Sequence, residues 1–549
     1  VPTAAAIVGR GLSKSFGRTV VLDGVNVTIG ASTRLGVVGP NGTGKTTLLK
    51  MLAEIIPADS GSVTAMPPDA TVGYLPQEPD RREGETLRDY LGRRTGVTEA
   101  EQAMEAAATA LAEGQPDAGD GYAAALERWM NLGGPDLEAR AGTVCADLGL
   151  PNALLDAPMV GLSGGQAARA SLAGILLSRY DVFLLDEPTN DLDFDGLARL
   201  EQFVTTLEGG VVVVSHDRAF LERTITAVLE LDAVTHRGSE FGGGWLAYLD
   251  ARATERRHAE EAFTAYETQR SDLLNRARTQ RQWAAQGART LKKKPADNDK
   301  AQRDFKLNRT EKQASKVRAT ERAIERLGDV DKPWDAWELR MRFGEAERSG
   351  DIVFRLHDAI AKRGSFQLGP VDLEVNWADR FAIVGPNGGG KTTLINVLLG
   401  RVPVEGGERY SGPGVVVGEL GQARGRFDAG RGSLLDTFLD MTDMPFAEAR
   451  SLLAKFDLSA HDVERGAATL SPGERTRAEL ALLTAQGVNC LVLDEPTNHL
   501  DLPAIEQLEV ALEAFSGTLL LVTHDRRLLD AVEVTRTVNV VAGIVTEQR

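Results

Sequence analysis

Lys45 and Lys391 each end a glycine-rich run and stand before paired threonines: "GPNGTGKTT" begins at Gly39 and "GPNGGGKTT" at Gly385. Both satisfy G-x-x-x-x-G-K-[ST], through Gly39, Gly44, Lys45 and Thr46 and again through Gly385, Gly390, Lys391 and Thr392. Such a turn lets backbone N–H groups converge on phosphate, brings the ammonium to the outer phosphates and offers the threonine hydroxyl to Mg2+. Two carboxylate pairs, Asp186–Glu187 and Asp494–Glu495, close the apolar runs "VFLLDE" and "CLVLDE". The first acid of each pair is placed for a magnesium shell, and the second can polarise a water for in-line attack on a γ-phosphate. His216 and His524 end two further apolar runs and are placed to touch that phosphate. Alone, a glycine turn is only a tight bend and an acidic pair only a solvated strand end. Recurrence removes that reading: Ser163 to Glu187 is 24 residues and Glu187 to His216 is 29, and the same intervals separate Ser471, Glu495 and His524.

The elements that must hold these groups are legible around them. "RLGVVG" and "RFAIVG" run directly into the glycine turns and then into "KTTLLKML" and "KTTLINVL", a strand–loop–helix order. "DVFLLDE", "GGVVVVSHD", "NCLVLDE" and "GTLLLVTHD" are continuous apolar runs ending in charge, as expected of strands buried in a parallel sheet with the site at their C-terminal ends.

The chain is duplicated. The glycine turns are displaced by 346 residues, whereas "LSGGQ" and "LSPGE", the carboxylate pairs and the histidines are displaced by 308. The first half therefore holds extra residues, 37 between Gln77 and Ser163 relative to Gln422 and Ser471. This Ala-, Glu- and Leu-rich insert, within 83–136, reads as helix, Gly/Asp turn, helix. Between the halves, 251–326 has almost no β-branched runs and a single proline, Pro295. It reads as a hairpin of two helices, with Phe263, Tyr266, Leu273 and Ala277 on one face of the first and a tip at Gly287–Lys300. The expected divisions are 1–240, a linker at 241–333, and 334–549.

At 549 residues and 42% apolar, the chain has material for several cores. Cys145 and Cys490 lie far apart in apolar runs and read as buried thiols, with no zinc spacing. No apolar run reaches the roughly 18 to 20 residues of a membrane span, so a cytoplasmic protein is expected. The formal charge is -17, yet Arg270–Thr320 carries 15 basic and 5 acidic residues. A solvated helix face accounts for many charge runs; here the excess is local and uncompensated, "LKKKP" adjoins the tip, and Trp283 interrupts a polar surface.

Taken together, both halves resemble ATP-binding cassette (ABC) ATPases, with Walker A, Q-loop, signature, Walker B, D-loop and switch histidine in order. The resemblance implies an α/β fold of two tandem cassettes joined by a long α-helical hairpin, binding ATP and Mg2+. It implies nucleotide contacts from Asn41, Gly42, Thr47 and Gln77 beside Lys45, and from Asn387, Gly388, Thr393 and Gln422 beside Lys391. Magnesium would fall to Thr46, Gln77 and Asp186, and to Thr392, Gln422 and Asp494. Glu187, Glu495, His216 and His524 would be the catalytic set. Cassettes of this family close head to tail, which implies pairing of Lys45 with Ser471 and Gly473, and of Lys391 with Ser163, Gly164 and Gly165. A monomer with an internal cassette dimer follows.

The two sites are expected to differ. Pro472 and Glu474 replace Gly164 and Gln166 in the second signature, and Pro472 lacks a backbone donor. Phe16, 23 residues before Gly39, sits where the family stacks an aromatic ring on adenine, and the same count in the second half gives Lys362.

Two cysteines are too few for the iron–sulfur ribosome-recycling and zinc-bearing DNA-repair twin cassettes. Tandem cassettes, a helical insert and a charged linker resemble the ABC-F subfamily, which implies a ribosomal partner at the E site with the linker directed to the P-site tRNA and peptidyl-transferase region. A basic linker suits an RNA surface, since Lys and Arg release phosphate counterions; Trp283, Arg289, Lys292, Lys293, Lys294 and Lys300 are the candidate contacts. Three roles stay open: antibiotic protection, which the long tip favours, a housekeeping factor for stalled ribosomes, and an ATPase subunit serving separate membrane subunits.

Overall fold

The computed structural model describes residues 5–77, 81–292, 322, 347–364, 366–420, 427, 432–456, 458–470, 472–498 and 500–548. Gln422, Ser471, Lys293, Lys294 and Lys300 lie outside them. The chain divides into two compact units, Val1–Ala247 with Leu339–Arg549, and Tyr248–Glu338.

Each half builds the same pair of sheets. In the first half the larger sheet runs Val72–Leu75, Val182–Asp186, Gly210–Val214, Arg34–Val38, Ala227–Leu231 and Gly238–Gly242, parallel except for its last strand. In the second it runs Val417–Leu420, Cys490–Asp494, Thr518–Val522, Arg380–Val384, Arg536–Val541 and Ile544–Gln548, with the same order and the same antiparallel edge. Residues of the central strands are buried on both faces, which is why those segments read as unbroken apolar runs rather than alternating ones. A smaller antiparallel sheet is centred on Ala6–Phe16 in the first half and Ile352–Arg363 in the second.

The helices after the glycine turns, Lys45–Leu52 and Lys391–Leu398, bury Leu48, Leu49 and Leu52, and Leu394, Val397 and Leu398, in the cores under these sheets. Each fully buried leucine contributes about 1.5–3 kcal/mol. Arginine fixes the neighbouring helices. Arg34 donates to the carbonyls of Val204 (2.7 Å), Gly209 (2.7 Å) and Leu207 around the C-terminus of helix Phe194–Thr206. Arg380 does the same for helix Leu502–Glu513, donating to Leu512 (3.1 Å), Glu513 (2.9 Å), Phe515 (3.0 Å) and Val532 (2.9 Å). Each guanidinium thereby satisfies carbonyls that a helix end leaves without partners.

The first-half insert contains helices Val97–Ala112 and Ala118–Asn131. Helix Gly244–Lys292 leads into the second unit, where Phe263, Tyr266, Leu273 and Ala277 are among its less exposed positions, and the Phe263 and Tyr266 rings lie 6.4 Å apart. One expectation needs correction: the helix continues through Gly287 to Lys292, so the first residues assigned to the tip are helical. A lone glycine costs about 1 kcal/mol in a helix, which the flanking Ala, Gln, Arg and Leu residues outweigh.

Candidate functional site

Both glycine turns place their lysines on backbone carbonyls. Lys45 Nζ donates to Gly39 O at 2.7 Å and Pro40 O at 3.1 Å, and Lys391 Nζ to Gly385 O at 2.7 Å. Gly44 and Gly390 sit at φ +93° and +113°, and a Cβ would lie 2.6 Å from Val21 Cγ1 in the first and 2.7 Å from Phe366 Cζ in the second. Only glycine meets both demands. Both lysines are nine-tenths buried, and desolvation lowers their pKa against the opposing pull of Glu187 and Glu495.

At the ends of the strands, Asp186 bonds Thr46, and Tyr74 Oη donates to Asp186 Oδ2 at 3.2 Å. In the second half Thr392 Oγ1 donates to Asp494 Oδ2 at 3.3 Å. The position matching Tyr74 is Glu419, paired with Arg401 at 2.7 Å, so the second carboxylate lacks this phenol. Glu187 and Glu495 adopt φ +50° and +48°, the left-handed region, which costs a non-glycine residue about 1 kcal/mol or more. Their backbone nitrogens donate to Val214 O at 2.9 Å and Val522 O at 2.8 Å, and these bonds hold the strained turn.

His216 Nε2 lies 3.1 Å from Glu187 Oε1, and His524 Nε2 lies 3.5 Å from Glu495 Oε1 and 3.0 Å from Lys391 Nζ. Burial pushes both glutamates up to about 8, and burial together with the neighbouring lysine pushes both imidazoles down to about 3. Neutral imidazoles therefore face carboxyls with strong proton affinity. Asp186 Oδ1, Glu187 Oε2 and the Nδ1 atoms of both histidines are buried without a hydrogen-bond partner. Unpaired acceptors beside a buried lysine suit a bound polyphosphate with its cation. Among the described residues, no cluster of three or more His, Cys, Asp or Glu could hold a metal alone.

The halves meet across these sites. A cavity of about 540 Å3 is lined from the first half by Ser163, Gly164 and Gly165, and from the second by Asn387, Gly388, Gly390, Lys391 and Thr392. Thr393, Asp494, Glu495 and His524 complete the second half's share. Ser163 caps helix Gly164–Leu177 in a reciprocal box with Gln166, whose Oε1 accepts from Ser163 N at 2.9 Å. Asn387 N donates to Asp193 Oδ2 at 3.0 Å, and Asn41 N donates to Asp501 Oδ2 at 3.1 Å. The other pairing, Lys45 with Ser471 and Gly473, involves Ser471, which lies outside the described residues. Pro472 opens helix Pro472–Ala485. The first turn of a helix has no intrahelical acceptor for that N–H, so proline fits there.

Of the remaining expected residues, Asn41 and Gly42 are exposed on the turn, Thr47 is half-buried, and Gln77 is exposed beyond strand Val72–Leu75. Phe16 is 54% exposed at a hairpin tip with the Lys14 ammonium 5.9 Å from its ring centre. The expectation for Lys362 is corrected by strand register. Phe16 pairs with Thr19, and Arg363 pairs with Phe366, so Arg363 and not Lys362 stands at the Phe16 position. Lys362 pairs with Glu405 at 3.0 Å, while Arg363 and Phe366 line the cavity. The second site therefore has a ring at its mouth, contributed by the opposite strand. The signal was the turn glycine: Gly17 and Gly364, at φ +63° and +62°, are one residue out of step with the count from the lysine turn. Trp283, Arg289 and Lys292 lie along helix Gly244–Lys292.

A family model described as "ABC transporter" matches residues 22–190 and 368–498. The chain is 36% identical over 535 residues to the tylosin resistance ATP-binding protein TlrC of Streptomyces fradiae, covering 94% of each. It is 31% identical over 528 residues to the energy-dependent translational throttle protein EttA of Escherichia coli K12, covering 93% of this chain and 88% of that one. An archaeal ribosome recycling factor, aABCE1, solved with the stalk protein aP1, shares the fold at a TM-score of 0.55 and 18% identity over 98% of this chain and 90% of that one.

Proposed function

Because the chain belongs to the ATP-binding cassette family and, within it, to the ABC-F branch of ATPases, we propose that it is a cytoplasmic ATPase that binds the ribosomal E site, directs its basic helical segment toward the peptidyl-transferase centre and protects the ribosome from antibiotics. The observation that carries this reading is end-to-end similarity to a resistance protein in a chain whose basic charge gathers between two cassettes that face each other across a shared cavity. Among the described residues no helix is long and apolar enough to cross a membrane, which gives no support to a membrane-embedded role.

In each site the lysine and the turn N–H groups take the phosphates. Thr46, Asp186 and Gln77, and correspondingly Thr392, Asp494 and Gln422, would hold Mg2+, which would supply charge neutralisation to the phosphates. The Glu187 or Glu495 carboxylate orients a water in line with the γ-phosphorus and draws its proton as the new P–O bond forms and the bond to the ADP oxygen breaks. The neutral histidine donates to the γ-phosphate. ATP draws the cassettes together, and hydrolysis releases them.

The test is the Glu187→Gln, Glu495→Gln double variant, expected to stay on ribosomes in ATP and to block translation. Failure to co-sediment would sink the ribosomal reading and return the chain to a transporter role. Expression of the unaltered chain should raise the inhibitory concentration of ribosome-targeting drugs, with tylosin first in the panel. Co-sedimentation with unchanged drug sensitivity would assign it instead to general translation, as for the throttle protein. Deletion of 287–300 should abolish protection and leave the ATPase.

A further inference from the structure

The two switch histidines meet different surfaces of the opposite half. The Phe194 ring, first residue of helix Phe194–Thr206, packs edge-on against the His524 imidazole, with centroids 5.1 Å apart and planes at 79°. The Arg526 guanidinium lies 5.7 Å from the same ring centre and also bonds Glu201 on Phe194's own helix at 2.8 Å. Asp193, one residue earlier, accepts from Asn387 N in the second lysine turn. Residues 193 and 194 of the first half therefore touch both the phosphate turn and the histidine of the second site. At the matching position opposite His216 the residue is Leu502, which has no ring.

We propose that Phe194 is a positioning residue for the second site: it holds His524 with Nε2 toward Lys391 and Glu495, so that this histidine is aligned only while the two halves are together. An aromatic edge restrains a neighbouring ring's tilt, which an aliphatic side chain does not. His524 Nδ1 has no hydrogen-bond partner, so the ring's orientation rests on its Nε2 contacts and on Phe194. The first site lacks this restraint, and the device makes turnover at the second site the more dependent on cassette closure.

The inference rests on His524 acting at the γ-phosphate, and the experiment separates the two. In full-length protein carrying Glu187→Gln, which confines turnover to the second site, Phe194→Leu should lower kcat about five- to tenfold with KM for ATP unchanged, and Phe194→Tyr should restore it. In the Glu495→Gln background, where the first site alone turns over, Phe194→Leu should change kcat less than twofold. Selective 15N-histidine spectra of the chain with no other change should show the His524 ring signals moved by Phe194→Leu and those of His216 in place. Equal loss at both sites, a KM effect without a kcat effect, or unmoved His524 signals would overturn the proposal. His524→Ala that retained second-site turnover would overturn both readings; Phe194→Leu that retained it while His524→Ala abolished it would overturn the positioning role alone.

Discussion

Asp193 performs two tasks with one carboxylate: Oδ1 accepts from Gly196 N at 3.0 Å, capping its own helix, and Oδ2 accepts from Asn387 N at 3.0 Å in the opposite half. Asp501 repeats this with Ala504 N at 3.1 Å and Asn41 N at 3.1 Å. The helix start and the phosphate turn across the interface are thus tied through a single side chain.

Asp193→Ala should lower ATP affinity at the second site about three- to tenfold and remove roughly 1 kcal/mol of helix capping. Asp193→Asn keeps the cap and an acceptor, and should retain most of the affinity. Nucleotide binding measured with Lys45→Ala present isolates the second site, and an equal loss there for both substitutions would refute the shared-carboxylate account.

Tyr74→Phe deletes the phenol that reaches Asp186. The first site, read with Glu495→Gln present, should need several times more Mg2+ for half-maximal turnover, since a hydrogen bond to a charged group is worth about 1.5–3 kcal/mol at most. The second site, whose matching residue Glu419 binds Arg401, should show an unaltered Mg2+ titration.

Stability should carry a signature of Asp217. Burial, with Asp525 opposite adding to it, pushes this carboxyl up to about 6 from 3.8, while its bond from Phe220 N works the other way. Its folded pKa is raised, so the folded state holds the proton more tightly. The stabilisation is complete below about 4 and is lost as pH rises through about 6. Asp217→Asn retains a helix cap and should raise stability at pH 7.5 by about 1–2 kcal/mol, an upper bound set by two pKa units. Thermal unfolding should show that advantage shrinking at pH 5; a constant gap would mean the carboxyl is not the cause.

Arg218–Glu509 and Arg526–Glu201, the latter at 2.8 Å, are the same ion pair made twice across the interface. Arg526→Glu should slow ATP turnover, with Glu201→Arg added to it restoring most of the loss. Partly exposed pairs are worth up to about 1 kcal/mol, so the effect should fade above roughly 0.5 M salt. No recovery in the double variant would place Arg526's role in its contact with Phe194.

The nucleotide motifs were readable in sequence because each is a local grammar: a glycine turn after a strand, or a carboxylate ending an apolar run. The buried strands of the parallel sheet were legible in the same runs, since strands covered on both faces lack alternation. Phe366 escaped because the first hairpin and the lysine turn are out of step by one residue, and a fixed count cannot see a shifted turn. The left-handed glutamates escaped as well, because nothing in "LLDEPTN" announces a positive φ. Asp193 and Phe194 look like an ordinary helix start; their reach to Asn387 and His524 exists only after two halves hundreds of residues apart have folded. In the linker, Gly287 misled because one weak helix former does not outweigh its neighbours.

A further interface pair does not repeat: Arg527 bonds Glu222, but the positions that would mirror it are Ala219 and Asp530. In a dimer of identical subunits every substitution is written twice, and a contact useful on one side is imposed on the other. Fusion of the two copies into one polypeptide lifts that constraint: each face drifts separately, and the seam between them is free to become two unlike joints hinged on a shared pair.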